Sequence, residues 1–265
     1  MGTERTATDP SAESRDVLDR VAPAPDRTAA YGTDPAQVYD LRLPPGDQRG
    51  IGVVVVHGGF WRAEFDRAHA GSQAQAFADA GYPTAVLEYR RTGMPGGGWP
   101  GTGQDIAAAV AAVRADPQLP DCLVLVGHSA GGHLVVWAAS QPWAHGLAGV
   151  VSLAGVVDLR LASDLGLGSG AVEAFLGATP SEAPEAYAAA DPAVLTPAVP
   201  VALLHGRDDE IVPLGISESY LRRQVDHGHP EVALRPVEAC GHFGLIDPDH
   251  PAFDEVLAAV SQLDS

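Results

Sequence analysis

Leu123-Val124-Leu125-Val126-Gly127-His128-Ser129-Ala130-Gly131-Gly132-His133 is the stretch on which the reading of this chain turns. Its first four residues are apolar without alternation, the pattern of a strand covered on both faces. Leu134, Val135, Val136, Ala138 and Ala139 then continue as a helix. Between the two lies Gly-x-Ser-x-Gly, a sharp strand-to-helix turn that exposes a serine hydroxyl at the carboxyl edge of a sheet. Such a turn strains the serine backbone, so Gly127 and Gly131 must let neighbouring backbone come close. Ser129 is therefore the candidate nucleophile. The N–H of Ala130, at the helix start, points toward any oxyanion that forms there. A serine N-cap on a buried helix is the blander reading, and the strand-turn-helix context outweighs it.

Working outward, strand-like runs recur at Val38–Leu43, Gly52–His57, Thr84–Tyr89, Gly149–Leu153, Val201–His205 and Glu231–Val237. Helical patterns fall between them, at Ala68–Ala80, Gly103–Ala115, Ala130–Ser140, Gly215–Arg223 and Pro251–Leu263. This alternation predicts an α/β fold with a mostly parallel central sheet and helices on both faces. The segment 158–196 breaks the rhythm with Gly, Pro and short Ala-rich pieces, and reads as a small helical cap over the strand ends. Residues 1–30 lack period and bulk and read as a mobile N-terminal tail, leaving 31–265 as one domain.

The chain carries 34 acidic against 16 basic residues, a formal charge of -18. A surface this negative disfavours nucleic acid and anionic membrane as partners, and solubility is its plain reading. All the basic residues are Arg, which excludes a Schiff-base lysine, a pyridoxal-phosphate anchor and a phosphate-loop lysine. Cys122 and Cys240 make no disulfide framework and are expected as reduced, buried thiols. With no secretory or membrane-length apolar run, the expectation is a soluble, cytoplasmic protein. Length and composition leave the oligomeric state open.

His57-Gly58-Gly59-Phe60-Trp61 follows the strand at Gly52. Its glycines let backbone N–H groups face a ligand, so Gly59 and Phe60, with Ala130, are the candidate oxyanion donors, and Gly58 is an alternative. A tight two-glycine turn without a catalytic role is the other possibility for this loop taken alone. In this class of site the order is Ser, acid, His. The loop after Val201–His205 offers Asp208 and Asp209, both on the Ser129 edge, with Asp209 preferred. Among the later histidines, His227 and His229 precede a strand and lie on the wrong edge, and their His-x-His spacing lacks a third metal ligand. His250 sits at a helix start. His242 follows the last strand and is the candidate general base and acid. His128 and His133 are too close in sequence to Ser129 to reach its hydroxyl in line and read as packing groups or as supports, with His128 near enough to touch substrate. Phe60, Trp61 and Trp99 are the candidate pocket aromatics. Gly96-Gly97-Gly98-Trp99-Pro100-Gly101 fits a dinucleotide fingerprint, but it is not the fold's opening turn and Pro100 lacks a donor N–H.

These motifs carry a family likeness. His57-Gly58-Gly59-Phe60-Trp61 resembles the H-G-G-x-W motif of kynurenine formamidase-like (arylformamidase-like) α/β hydrolases. Ser129-Ala130-Gly131-Gly132-His133 is similar to the S-A-G-G-H of that group and related carboxylesterases. His205-Gly206-Arg207-Asp208-Asp209-Glu210-Ile211-Val212-Pro213 resembles their H-G-x-x-D-x-x-V-P acid loop, which favours Asp209, and His242-Phe243 looks like the H-F at their catalytic histidine. The likeness runs from about Tyr31 to the C-terminus. It implies an α/β-hydrolase fold, a Ser129–His242–Asp209 triad working without cofactor or metal, and cleavage of a small carboxylic ester or an aryl formamide. A peptidase or acyltransferase on the same triad is the alternative. A non-catalytic binding module would typically lack a triad member, and none is missing.

Overall fold

The structure is a computed structural model that describes residues 15–229 and 231–264. Eight strands are formed: β1 (Arg27–Ala30), β2 (Val38–Arg42), β3 (Ile51–Val56), β4 (Thr84–Leu87), β5 (Cys122–His128), β6 (Leu147–Leu153), β7 (Val201–Gly206) and β8 (Val232–Val237). They make one sheet in the order β1-β2-β4-β3-β5-β6-β7-β8. From β4 through β8 neighbouring strands pair in parallel, while β1 and β2 join antiparallel at one end. The expected α/β-hydrolase fold is what the chain adopts.

The central strands are apolar along most of their length because both faces are covered. In β3, Val54 and Val56 enter one hydrophobic cluster while Ile51, Val53 and Val55 enter the other; in β5, Leu123 and Leu125 part from Val124 and Val126 in the same way. Alternate side chains point to opposite faces, so one uninterrupted run supplies two cores.

The principal helices are α1 (Asp16–Asp19), α2 (Gly71–Asp79), α3 (Gly101–Arg114), α4 (Ala130–Ala139), α5 (Leu159–Asp164), α6 (Ala171–Leu176), α7 (Pro184–Ala190), α8 (Gly215–Asp226) and α9 (Ala252–Gln262). None of the described helices is long and apolar enough to cross a membrane.

Three expectations are corrected. The stretch read as a mobile tail is structured where it is described. Arg27–Ala30 pairs with β2, and Arg27 and Tyr39 both bond to Asp116. This strand has only the small apolar side chains of Ala29 and Ala30 to betray it, and backbone pairing and polar contacts help to hold it. Val17 of α1 is buried in a core cluster, and Arg20 bridges to Asp247 (2.6 Å) and Asp249 (3.2 Å). Residues 1–14, the rest of that expected tail, lie outside the described residues. The second correction concerns 158–196. Helices α5–α7 do form there, but Leu159, Ala162, Val172, Phe175 and Tyr187 are packed into the same core cluster as β3 and α4. Third, Cys240 is buried as expected, whereas Cys122, the first residue of β5, is exposed.

Candidate active site

The carboxyl ends of β3, β5, β7 and β8 deliver the site. Parallel strands all point the same way, so the loops leaving their C-terminal ends gather on one edge.

Ser129 leaves β5 with φ 54° and ψ -116°, a conformation that non-glycine residues avoid. Its backbone is fixed on both sides. Its N–H donates to the Leu153 carbonyl (2.9 Å), and its carbonyl accepts from His133 (3.1 Å) and Val156 (3.2 Å). A side chain at Gly131 would lie 2.0 Å from the Val56 carbonyl oxygen, and one at Gly127 would lie 2.1 Å from that of Gly131. The glycines are thus demanded by the end of β3 and by the turn's own backbone closing on each other. The N–H of Ala130 belongs to the first turn of α4, which has no acceptor within the helix.

His242 follows β8 and Asp209 follows β7, and they meet: His242 Nδ1 donates to Asp209 Oδ2 at 2.7 Å. The other carboxylate oxygen accepts the N–H groups of Ile211 (2.9 Å) and Val212 (2.8 Å). Burial opposes the charge of Asp209, but hydrogen bonds from His205, His242 and the Val212 amide outweigh it and hold the carboxyl below its usual range. Asp208 is exposed and faces away. Because Nδ1 serves Asp209, Nε2 of His242 is the nitrogen left to exchange protons with substrate.

Ser129 and His242 line one pocket, together with Gly59, Phe60, Phe65, His69, His128, Ile211, Phe243, Arg15 and Leu18. Among the described residues no protein acceptor takes the N–H of Gly59 or Phe60. Gly59, Phe60 and Trp61 all have positive φ (109°, 50° and 55°), a tight reversal directly after β3. The base of this loop is held by a buried ionic cluster. His57 Nε2 meets Glu88 Oε1 at 3.1 Å, and Glu88 Oε2 accepts the Arg67 N–H at 3.0 Å. Burial works against the Glu88 charge, yet the His57 contact and its other donors bring that carboxyl down to about 2.

The predicted pocket aromatics divide. Phe60 lines the pocket. Trp61 does not: it is fully buried, stacked on Phe175 of α6 at 4.6 Å, with its ring N–H donating to His133 Nδ1 at 3.2 Å. Trp99 packs on Trp137 and Phe175, away from Ser129. The expected cap likewise contributes no residue to the pocket. It buttresses the loop after β3 from outside, where the Gly168 carbonyl accepts from Arg62 and Gly168 lies against the Phe60 ring. The glycine-rich loop at 96–101 folds on itself, with Gly97 N–H bonded to Met94 and Trp99 N–H bonded to Phe175.

His128 lines the pocket and donates from Nε2 to the His242 carbonyl (2.9 Å), so it supports the loop carrying the base. Burial, and then the neighbouring His242, depress its pKa and keep it neutral. His69 is lowered to about 4 by burial and by His57. His133 lies outside the pocket, bonded to Trp61 and to the Ala190 carbonyl. His227 and His229 lie before β8, remote from this edge, and His250 Nδ1 accepts the Ala252 N–H at the start of α9.

Sequence reasoning missed Arg15, Leu18, Phe65, His69 and Ile211 as pocket walls, and Glu88 as the anchor of the loop. Only Glu88 left a signal, as a lone acid at the end of the apolar run Thr84–Leu87.

Residues 39–223 match the family BD-FAE. The chain belongs to the BD-FAE family. A search of curated proteins found no match to this BD-FAE chain. Among solved structures it is similar to a truncated carbohydrate esterase from gut microbiota, at TM-score 0.77 and 20% identity, covering 91% of this chain and 97% of that one. It is also similar to esterase B from Lactobacillus rhamnosis, at TM-score 0.75 and 20% identity, covering 92% and 87%. A putative thioesterase from a Silicibacter species gives TM-score 0.69 and 24% identity, covering 89% and 86%. At these identities the likeness establishes the shared fold.

Proposed function

We propose that this BD-FAE chain is a serine esterase that cleaves small carboxylic esters through an acyl-enzyme. The observation that carries the reading is the 2.7 Å contact of His242 with an ionised Asp209, in a pocket that His242 shares with a strained Ser129. Ser129 attacks the ester carbonyl while His242 Nε2 takes its proton. Asp209 keeps the imidazole in the tautomer with Nδ1 protonated and stabilises the cation. The N–H groups of Gly59, Phe60 and Ala130 hold the oxyanion. The tetrahedral intermediate collapses as His242 returns the proton to the departing alkoxide. A water, deprotonated by His242, then releases the acid and restores Ser129. No step calls for a cofactor.

The esterase names of the structural neighbours support this substrate class, and the compact pocket walled by Phe60, Phe65 and Phe243 favours short acyl groups. An aryl formamide is the second reading, favoured by the His57–Trp61 motif, since formyl is the smallest acyl group such a pocket could take. The test is kcat/KM for p-nitrophenyl acetate, butyrate and octanoate and for an aryl formamide, with wild type and Ser129→Ala. Wild type is expected to prefer acetate over octanoate, and Ser129→Ala to lose several powers of ten. Absence of turnover in wild type, or its survival in Ser129→Ala, overturns the proposal. A formamide rate above all the esters selects the second reading.

A further inference from the structure

Part of the pocket wall comes from the first described residues. Arg15 and Leu18 line it, and the Arg15 guanidinium lies 5.5 Å from the centre of the Phe243 ring. Phe243 in turn stands beside the catalytic imidazole, their ring centroids 5.1 Å apart. The segment is held in place by the buried Val17 and by the Arg20 bridges to Asp247 and Asp249, both a short way along the chain from His242. Nine other arginines in the described residues pair with carboxylates; Arg15 is exposed, and no carboxylate of the described residues lies within ion-pair distance of it. Among the described residues the lining includes no Asp or Glu, and Arg15 is its one arginine.

We propose that Arg15 is a specificity-determining residue that selects esters whose leaving group carries a carboxylate. The side of the pocket is fixed by chemistry. His242 must protonate the departing oxygen, so the leaving group lies toward His242, and Arg15 is one aromatic ring beyond it. A benzoate-like leaving group would lie along Phe243 and place its carboxylate at the guanidinium, whose planar fork suits that group. Low-dielectric ring surface on one side strengthens the pairing relative to open solvent.

This inference rests on the esterase reading and is tested beside it. The substrates are 4-acetoxybenzoate and its neutral analogue 4-acetoxybenzamide, hydrolysed by the full chain as wild type, Arg15→Ala, Arg15→Lys and Ser129→Ala. The readout is the ratio of kcat/KM for the two. Arg15→Ala is expected to lower the benzoate-to-benzamide ratio about five- to ten-fold, the scale of a partly exposed charge-assisted contact. Arg15→Lys should keep most of it, and 1 M NaCl should shrink the wild-type ratio. A ratio unchanged within about two-fold in Arg15→Ala overturns the role of Arg15, as does a wild type that cleaves the benzamide and not the benzoate. Both results leave the esterase reading standing if benzamide turnover depends on Ser129. Failure of wild type on both substrates and on p-nitrophenyl acetate removes the two proposals together.

Discussion

Replacing Asp209 by Asn exchanges one oxygen for an amide nitrogen and is expected to abolish nearly all turnover. The structure dictates which way the new amide must sit. Oδ1 accepts two backbone N–H groups, from Ile211 and Val212, while Oδ2 faces His242 Nδ1. Turning the amide nitrogen toward the two backbone donors would lose both bonds, about 1 kcal/mol each before any repulsion is counted. The amide oxygen therefore keeps the Oδ1 place and the NH2 group faces the imidazole. A donor there makes Nδ1 an acceptor and moves the ring proton to Nε2, the atom that must take the Ser129 proton. The nearby Nε2 of His205, 3.3 Å from Oδ2 and already donating to the Val212 carbonyl, adds a second donor against the new NH2. A triad with the wrong tautomer imposed loses roughly 10⁴ in rate, or about 5 kcal/mol of transition-state stabilisation. The assay is kcat/KM on p-nitrophenyl acetate at pH 8, with the melting temperature as a folding control. Asp208→Asn, on an exposed side chain, should stay within about two-fold of wild type. An Asp209→Asn enzyme retaining more than about a tenth of its activity, or a larger loss in Asp208→Asn, would refute the reasoning.

Two further outcomes bear on stability. Gly131→Ala places a methyl 2.0 Å from the Val56 carbonyl oxygen; chemical denaturation should show a loss of about 3 kcal/mol or failure to fold. His133 accepts at Nδ1 from Trp61 and donates at Nε2 to Ala190, so its protonation would set one donor against another, and burial lowers its pKa from 6.5 to about 4. The unfolded chain binds more protons between those values, so this contribution is whole above pH 6.5 and is lost as pH falls toward 4. His133→Gln removes the titration, and its deficit in urea unfolding should be about 2 kcal/mol smaller at pH 5 than at pH 8; equal deficits would contradict the assignment.

The sheet and the Ser129–Asp209–His242 constellation were legible because each rests on a local signal. The unalternating β3 and β5 reveal two-sided burial, the glycines bracket a steric bottleneck, and strand direction decides which acid and which histidine share an edge with Ser129. What stayed hidden depends on contacts distant in sequence. A four-residue helix with one buried side chain, Val17, has no period to read, so the segment bearing Arg15 and Leu18 passed for a tail. Trp61 has the bulk of a pocket wall, yet the reversal through Gly59–Trp61 puts Phe60 in the pocket and Trp61 beneath α6. Composition cannot say which of two adjacent aromatics a turn will bury. The stretch 158–196 was read as helical, and it is, but its apolar faces were satisfied by the core rather than by the mouth of the site.

The hold on the backbone of Ser129, whose N–H is bound to β6 and whose carbonyl is shared between His133 and Val156, divides the molecule for anyone who would re-engineer it. Ser129 cannot be repositioned without dismantling neighbouring strands. Arg15, Leu18 and Phe65 stand on short segments that carry none of the parallel sheet. Libraries confined to those three positions would vary the pocket wall while the turn beneath it stays as it is.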